Sequence, residues 1–239
     1  MKKLGAIYYT ENRLNREMMA ICQKQLREAF KGEIAVCSLK PIDFGDKNVV
    51  LEGAVKSYPT MITQILMALE LSSAENVFFT EHDVLYHPSH FDFIPPRDDM
   101  YYYNINNWRW RWGTDVCITY DKLSSLSGLC CNRELAIKHY KYRIKVMKEQ
   151  KLDERRGREP RWARKFGYEP GTKKRRRGGI TDEDYETRRS EFPNVDIRHR
   201  RTFSHPKTFL SDFITLPTTW RETTIDKIPG WDLKRMFSL

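Results

Sequence analysis

The chain has 239 residues, of which 40% are apolar and 31% are charged, and its formal net charge is +10. This length and apolar content suit one sizeable α/β domain, or one domain with an added lobe. The positive charge favours anionic partners such as nucleic acid, nucleotide phosphates or an acidic membrane face. No apolar run reaches the roughly 18–20 residues of a membrane span, so no spanning helix is expected.

The cysteines argue against a disulfide framework and against structural zinc. The sequence contains five of them, Cys22, Cys37, Cys117, Cys130 and Cys131. They are odd in number and form no CxxC pair, so we expect buried, reduced thiols. The apolar stretch near the start is too short for a signal peptide, which leads us to expect a cytoplasmic protein.

The first half of the chain alternates between strand and helix patterns. Residues 4–10 are typical of a strand, and residues 14–30 repeat apolar side chains at helical spacing. Residues 33–39 form a second predicted strand, and Pro59 marks the start of a second helix. Residues 76–80 form a third strand. This alternation favours a mostly parallel central sheet with helices on its faces.

Two carboxylates, Glu81 and Asp83, follow the third predicted strand on either side of His82. In open α/β sheets, ligands bind at the carboxyl ends of the strands. If the chain stays extended, alternation places both carboxylates on one side and His82 on the other. Two oxygen ligands suit Mg²⁺ or Mn²⁺, which complete their coordination with phosphate oxygens and water. The alternative is a solvated turn after a strand.

Several blocks of sequence resemble GT-A nucleotide-sugar glycosyltransferases. The stretch FFTEHDVLYHPSHF resembles their DXD region, with Glu in the first acidic position. The blocks YYTENR, KSYPTMITQILMALE, EHDVLYHPSHFDFIPPRDDMYYYNINNWRW and EFPNVDIRH resemble a glycosyltransferase-like group of bacteria and their phages. The resemblance covers most of the chain. It implies a single GT-A-like, Rossmann-like α/β domain with a mostly parallel central sheet, flanking helices and an acceptor-side lobe.

The resemblance also implies an activity and a metal site. The expected reaction is metal-dependent transfer of a hexose from a nucleoside-diphosphate sugar, such as a UDP-sugar, to a hydroxyl acceptor. Asp83 would bind Mn²⁺ or Mg²⁺, and Glu81 would contact the ribose, the metal or a metal-bound water. His199 in EFPNVDIRH would be the third ligand, and Arg198 beside it would contact phosphate. The alternative for His199 is a surface histidine in a basic stretch.

The loop after the first strand lies where such enzymes hold the nucleoside. Asn12 would read a base edge, Tyr9 would stack on the base, and Arg13 would meet phosphate. The alternative is that Thr10 or Asn12 caps the following helix. Lys56 precedes the second helix and would also face the nucleotide, or it is an ordinary residue of the capping region.

Three carboxylates are candidates for the catalytic base, which an inverting transferase needs near the acceptor hydroxyl. Glu169 stands just before a Pro-Gly turn, and Asp182 and Asp184 follow a Gly-Gly pair. The alternative for the latter two is a helix start capped by Thr181. A retaining enzyme would need no such base, and the sequence leaves the stereochemistry open.

We divide the chain functionally into a donor-binding half, residues 1–100, and an acceptor-side half, residues 101–239. The second half includes an expected mobile basic loop around residues 171–180, with five consecutive cations at residues 173–177. Residues 151–201 contain 17 Lys or Arg and 10 Asp or Glu, which makes +7 of the total charge. The loop is either solvated or a contact to a phosphate backbone. The second reading suggests an acceptor in phage DNA, a hydroxymethylated base flipped out of the duplex.

Other acceptors and other classes of protein stay open. A surface glycan or a lipid-linked sugar is the alternative acceptor. A metal-dependent nuclease or phosphatase would use Glu81, Asp83 and His199 on the same basic chain. A nucleic-acid-binding module would use the basic loop and the Trp-Arg alternation of residues 108–112.

Overall fold

The structure, a computed structural model, describes residues 2–121, 124–149, 151, 169–172, 184–200, 202, 207–214 and 216–238. Within these ranges it is one mixed α/β domain of twelve strands and four α-helices. The strands are β1 (Leu4–Thr10), β2 (Glu33–Ser38), β3 (Lys47–Val50), β4 (Asn76–Glu81), β5 (Val84–Leu85), β6 (Tyr101–Asn104), β7 (Asn107–Arg111), β8 (Val116–Thr119), β9 (Leu129–Asn132), β10 (Tyr185–Arg188), β11 (Asn194–Arg198) and β12 (Arg221–Thr224). The helices are α1 (Arg16–Ala29), α2 (Tyr58–Leu71), α3 (Arg133–Glu149) and α4 (Leu233–Met236).

The central sheet has seven strands in the order β10-β6-β9-β4-β1-β2-β3. Every neighbouring pair is parallel except the two pairs that involve β9. The carboxyl ends of β1, β2 and β4 therefore meet at one edge, which holds Thr10, Ser38 and Glu81. The predicted mostly parallel sheet with flanking helices is confirmed.

The central strands are apolar on both faces because helices cover both sides of the sheet. Ile7 and Phe79 pack in the core beneath α2 and α3, whereas Tyr8 and Phe78 pack in the core that includes Leu26 of α1. Side-chain caps fix where the helices begin. The Asn15 side chain accepts a hydrogen bond from the backbone of α1, and Ser57 does the same for α2.

A second sheet of five strands, in the order β12-β8-β7-β11-β5, forms the lobe beside the central sheet. Its core combines Trp110 and Val195 with Met18 of α1, so α1 contributes to two cores. β5 follows β4 after a short turn and pairs antiparallel with β11. Residues 82 and 83 therefore connect the two sheets, and the backbone N–H of Ile197 donates to the carbonyl of Asp83 at 2.8 Å.

The described residues settle two further expectations. All five cysteines are free and buried, as predicted. The helix start at Thr181 is wrong as an account of Asp184, because the strand β10 begins at the next residue and pairs with β6; Thr181 itself lies outside the described residues. Among the described helices, none combines the length and apolar character needed to cross a bilayer.

Candidate metal centre

Three potential metal ligands converge at the turn between β4 and β5. Among the described residues, one ligand atom each of His82, Asp83 and His199 lies within 4.8 Å of the other two. The Nε2 of His199 is 3.3 Å from Oδ2 of Asp83, although 116 residues separate them in the chain. They meet because Asp83 precedes β5, His199 follows β11, and these strands pair. The arrangement of two imidazoles and one carboxylate suits a divalent cation.

The predicted orientation of His82 is wrong. Strand alternation would have directed His82 away from Asp83, but β4 ends at Glu81 and residues 82 and 83 form a turn. Alternation applies only while a chain stays extended. The turn brings the His82 ring to Asp83 and adds a ligand that the sequence pattern had excluded.

The environment of Asp83 favours the ionised carboxylate. The side chain is buried, and burial alone raises its pKa. The neighbouring His82, the hydrogen bond from His199 and the charge of Arg198 outweigh that penalty and hold the pKa of Asp83 below its usual value. Asp83 is thus an anion at neutral pH, the form that binds a metal ion.

Glu81, in contrast, favours the protonated form of its carboxyl group near neutral pH. Its Oε1 accepts a hydrogen bond of 2.6 Å from the Tyr9 hydroxyl, and its backbone N–H donates to the Tyr86 hydroxyl at 3.0 Å. Burial, followed by the charge of Asp83, raises the pKa of Glu81 to about 8. Glu81 is outside the three-residue cluster, and its predicted contact with metal or ribose stays a prediction.

An ionic network that the sequence analysis missed lies beneath the cluster, on β7 and β11. The Asp196 carboxylate is 3.2 Å from the Arg198 guanidinium and 3.9 Å from that of Arg109. The parallel register places Asp196 opposite Arg109. The charged residues in DIR and WRWR could have indicated this network. They could not be matched from the sequence, because the β7–β11 pairing joins distant parts of the chain.

A cleft of about 410 Å³ lies next to the cluster. Its lining consists of Glu11, Arg13, Lys56, Arg200 and Thr202. The backbone N–H and Oγ1 of Thr202 donate to the carbonyl of His199 at 3.2 and 2.9 Å, so the cleft adjoins a metal-ligand candidate. Lys56 forms an ion pair of 2.7 Å with Glu11. With three cations and one acid, the cleft fits an anionic group such as a diphosphate.

The loop after β1 differs in part from expectation. Tyr9 cannot stack on a base as predicted, because its ring is buried in the core beneath α2. The N–H of Asn12 donates to Thr10 Oγ1 at 2.9 Å, and its amide Nδ2 donates to the carbonyl of Pro41 at 2.8 Å. Neither Thr10 nor Asn12 caps α1, since Asn15 does so. Arg13 does line the cleft.

The structure describes two of the three candidates for the catalytic base, and they lie at different parts of the sheet. Segment 169–172 approaches the sheet face beneath α2 and α3, where the Tyr103 hydroxyl donates to the Pro170 carbonyl at 2.6 Å. Burial, then the charges of Asp83 and Asp196, and last that of Glu169 raise the pKa of Glu81. Asp184 precedes β10, at the amino-end edge of the sheet, opposite the edge with Glu81. Asp182 lies outside the described residues.

No protein-family model matches the chain, and no curated protein matches it. Three distantly similar solved structures are the bifunctional IspDF from Campylobacter jejuni (13% identity, TM-score 0.38, 61% of this chain and 47% of that one), a glycosyltransferase involved in the glycosylation of the major capsid of PBCV-1 (11%, 0.44, 78% and 82%) and the apo-form glycosyltransferase GlyE of Streptococcus pneumoniae (9%, 0.37, 66% and 41%). The chain thus spans about half or less of the IspDF and GlyE chains. At such low identity and TM-scores these likenesses do not decide what this chain does, and function has to be inferred from its own residues.

Proposed function

We propose that the protein is a metal-dependent GT-A-type glycosyltransferase that moves a sugar from a nucleoside-diphosphate sugar, such as a UDP-sugar, to a hydroxyl acceptor. The observation that carries the proposal is the cluster of His82, Asp83 and His199 beside the cationic cleft at the carboxyl edge of the sheet. Asp83 and His199 come from the two sequence blocks in which the resemblance to glycosyltransferases placed the metal ligands.

The donor set supports Mn²⁺ over Mg²⁺. Mg²⁺ is usually bound through carboxylates, phosphates and water, whereas imidazole is a common ligand of later transition metals. Asp83, His82 and His199 would hold the ion, with Glu81 as a contact to its water or to the ribose. Once bound, the ion would act as a Lewis acid on the departing diphosphate.

The residues of the chain itself would bind and orient the donor. Arg13 and Arg200 line the cleft and would bind the diphosphate as cations, and Lys56 would reach it from its ion pair with Glu11. The proposed donor half, residues 1–100, supplies Asp83, and the acceptor half, residues 101–239, supplies His199. Both halves of the chain therefore contribute ligands to the proposed metal site.

Glu169 is the best-supported candidate for the acceptor base of an inverting reaction. Its segment is bound by Tyr103, which belongs to the same core as Tyr9, the hydrogen-bond partner of Glu81. Asp184 lies at the opposite edge of the sheet and Asp182 outside the described residues, so both have weaker support. We therefore expect Glu169→Gln to lower transfer and to leave binding of the donor intact.

Two classes of acceptor should be tested. One is DNA that bears a hydroxymethylated base, suggested by the basic run at residues 173–177, which lies outside the described residues. The other is a surface glycan or lipid-linked sugar. Both present a hydroxyl nucleophile, so the same donor site serves either one.

The test is mass spectrometry after the protein has been incubated with Mn²⁺, a panel of nucleotide sugars and both acceptor classes. A sugar-sized mass gain on one acceptor is expected from the wild type. The Asp83→Asn variant should still fold but lose this gain, while Asp43→Asn, a change at an exposed acid outside the cluster, should keep it. Nicked DNA without any mass gain would instead indicate a nuclease, and absence of a thermal shift with UDP-sugars and Mn²⁺ would indicate a nucleic-acid-binding module.

A further inference from the structure

Apolar side chains concentrate on the surface of one short segment, formed by the described residues 207–214 and 216. Four large apolar residues are exposed within it, at 50% for Phe209, 43% for Leu210, 107% for Ile214 and 62% for Leu216. The other exposed large apolar side chains of the described residues are scattered singly, as at Val55 and Ile94. Single exposed apolar residues are ordinary, whereas a contiguous group marks an interaction site.

The segment is held in place from beneath. The ring of Phe213 lies 5.2 Å from that of Tyr120 and 5.7 Å from that of Trp220. Oδ2 of Asp212 accepts hydrogen bonds of 2.9 Å from the backbone N–H groups of Thr208 and Phe209. These contacts close a short turn over Leu210–Asp212 and leave the apolar side chains on its outer side.

Cations anchor and surround the turn. The Arg111 guanidinium donates to the carbonyl of Thr208 and lies 3.6 Å above the ring of Phe209. Lys207 is exposed, with its Nζ 5.1 Å from the ring of Phe213. Between Asp196 and Asp212 the sequence contains four Lys or Arg and no acid. Asp212, the nearest acid, directs its carboxylate at backbone N–H groups.

We propose that this segment, residues 207–214 with Leu216, binds the surface of an anionic lipid bilayer by inserting its apolar side chains at the headgroup boundary. Projecting aliphatic and aromatic side chains beside cations are the composition that binds such interfaces. A nucleic-acid backbone would engage the cations but would give Ile214 and Leu216 nothing apolar to contact. The proposal concerns peripheral binding and does not depend on the proposed transferase activity.

The segment lies close to the candidate metal centre. Arg111, which anchors the turn, stands opposite Arg198 in the β7–β11 register, and His199 follows Arg198 directly. Binding of the segment to a bilayer would therefore bring the metal centre near the membrane surface. If the protein is a transferase, this placement favours the lipid-linked acceptor over DNA.

The experiment is co-sedimentation of the full-length protein with vesicles of phosphatidylcholine alone or with about 30% phosphatidylglycerol. The wild type should sediment with the anionic vesicles, and less so as salt is raised. The double variant Ile214→Ser with Leu216→Ser should lose roughly tenfold or more in partition coefficient. Val55→Ser removes a similarly exposed side chain (57%) outside the segment and should bind like the wild type.

Because the changed side chains are exposed, the double variant should unfold at the same temperature as the wild type. The proposal is overturned if the wild type ignores anionic vesicles, or if the double variant binds them as well as the wild type. Loss of a concentration-dependent dimer in the double variant, without vesicle binding by the wild type, would assign the surface to a second copy of the chain instead. Donor hydrolysis, measured without lipid, should be equal in the two proteins, which separates this test from that of the transferase.

Discussion

Glu81 and Asp83 are two residues apart, yet their pKa values shift in opposite directions. Asp83 has a histidine on either side of its carboxylate and stays ionised, whereas Glu81 has the Tyr9 hydroxyl and the negative charge of Asp83 for neighbours. Two neighbouring carboxylates in a poorly solvated site cannot both ionise without cost, and the two histidines favour the ionisation of Asp83. The pair therefore presents one anion to the candidate metal centre and one largely neutral acid beside it.

The raised pKa of Glu81 makes the stability of the metal-free protein depend on pH. Between pH of about 4.5 and 8, folded Glu81 keeps a proton that the unfolded state releases, so its contribution to stability falls as pH rises through this range. Glu81→Gln should remove this contribution from the pH dependence and stabilise the chelator-treated protein at pH 8 by about 2 kcal/mol. A pKa shift from 4.5 to about 8 corresponds to about 5 kcal/mol at ~1.4 kcal/mol per unit, and we reduce it to about 2 kcal/mol because the half-buried Glu81 is screened by solvent.

The measurement is urea denaturation of the two proteins at a series of pH values in the presence of a chelator. Glu75→Gln, a change at an exposed acid at the other end of β4, is the matched control and should keep the wild-type slope. Equal slopes in the wild type and in Glu81→Gln would show that Glu81 titrates normally.

At this scale the sequence predicted part of the site. Asp83 and His199 could be paired in advance because their blocks resemble those of a known family. His82 could not be assigned to the site, because residues 82 and 83 form a turn in which strand alternation does not apply. The sequence of these residues does not distinguish such a turn from a continuing strand. The burial of the Tyr9 ring was equally hidden, since a tyrosine at a strand end fits either the core or an open loop.

At the scale of elements, the β7–β11 pair supports the candidate metal centre, because His199 directly follows β11. Asp196 lies between Arg109 and Arg198, and all three side chains are largely buried. Removal of one partner from a buried ionic network leaves the other charges uncompensated, which typically costs about 3–5 kcal/mol. Asp196→Asn should therefore lower the free energy of unfolding by about 3 kcal/mol, as measured by guanidinium denaturation.

The chain offers a matched control for this change in the half-exposed ion pair of Asp121 with Arg189, which is 2.7 Å long. Exposed pairs contribute about 1 kcal/mol or less, so Asp121→Asn should have a small effect. Similar losses from the two substitutions would contradict the supporting role of the Asp196 network.

The elements themselves were predictable to unequal degrees. β1, α1, β2, α2 and β4 follow from local periodicity, and their order implied the parallel sheet. The second sheet did not follow, because its pairings join β7 to β11 and β8 to β12 across long separations. Local pattern sets the type of an element, whereas such distant register depends on how whole faces pack.

For the whole molecule, the net charge of +10 is concentrated in residues 151–201. If the acceptor is DNA, replacing Lys173, Lys174 and Arg175 with Gln should reduce transfer and flatten its salt dependence. The expected change in the logarithmic slope is about 0.9 for each lost phosphate contact. Transfer assays over a range of salt concentrations measure it, and hydrolysis of the donor should persist. An unchanged slope would exclude the basic run as a contact to the DNA backbone.

The central claim is that Asp83, His82 and His199 bind a divalent cation next to a diphosphate. The most direct measurement is anomalous diffraction from a crystal soaked with Mn²⁺ and a nucleoside diphosphate. The account predicts a manganese peak between the carboxylate of Asp83 and the ring of His199, with the phosphates in the cleft lined by Arg13 and Arg200. Manganese and diphosphate bound elsewhere, or no peak between these side chains, would contradict it.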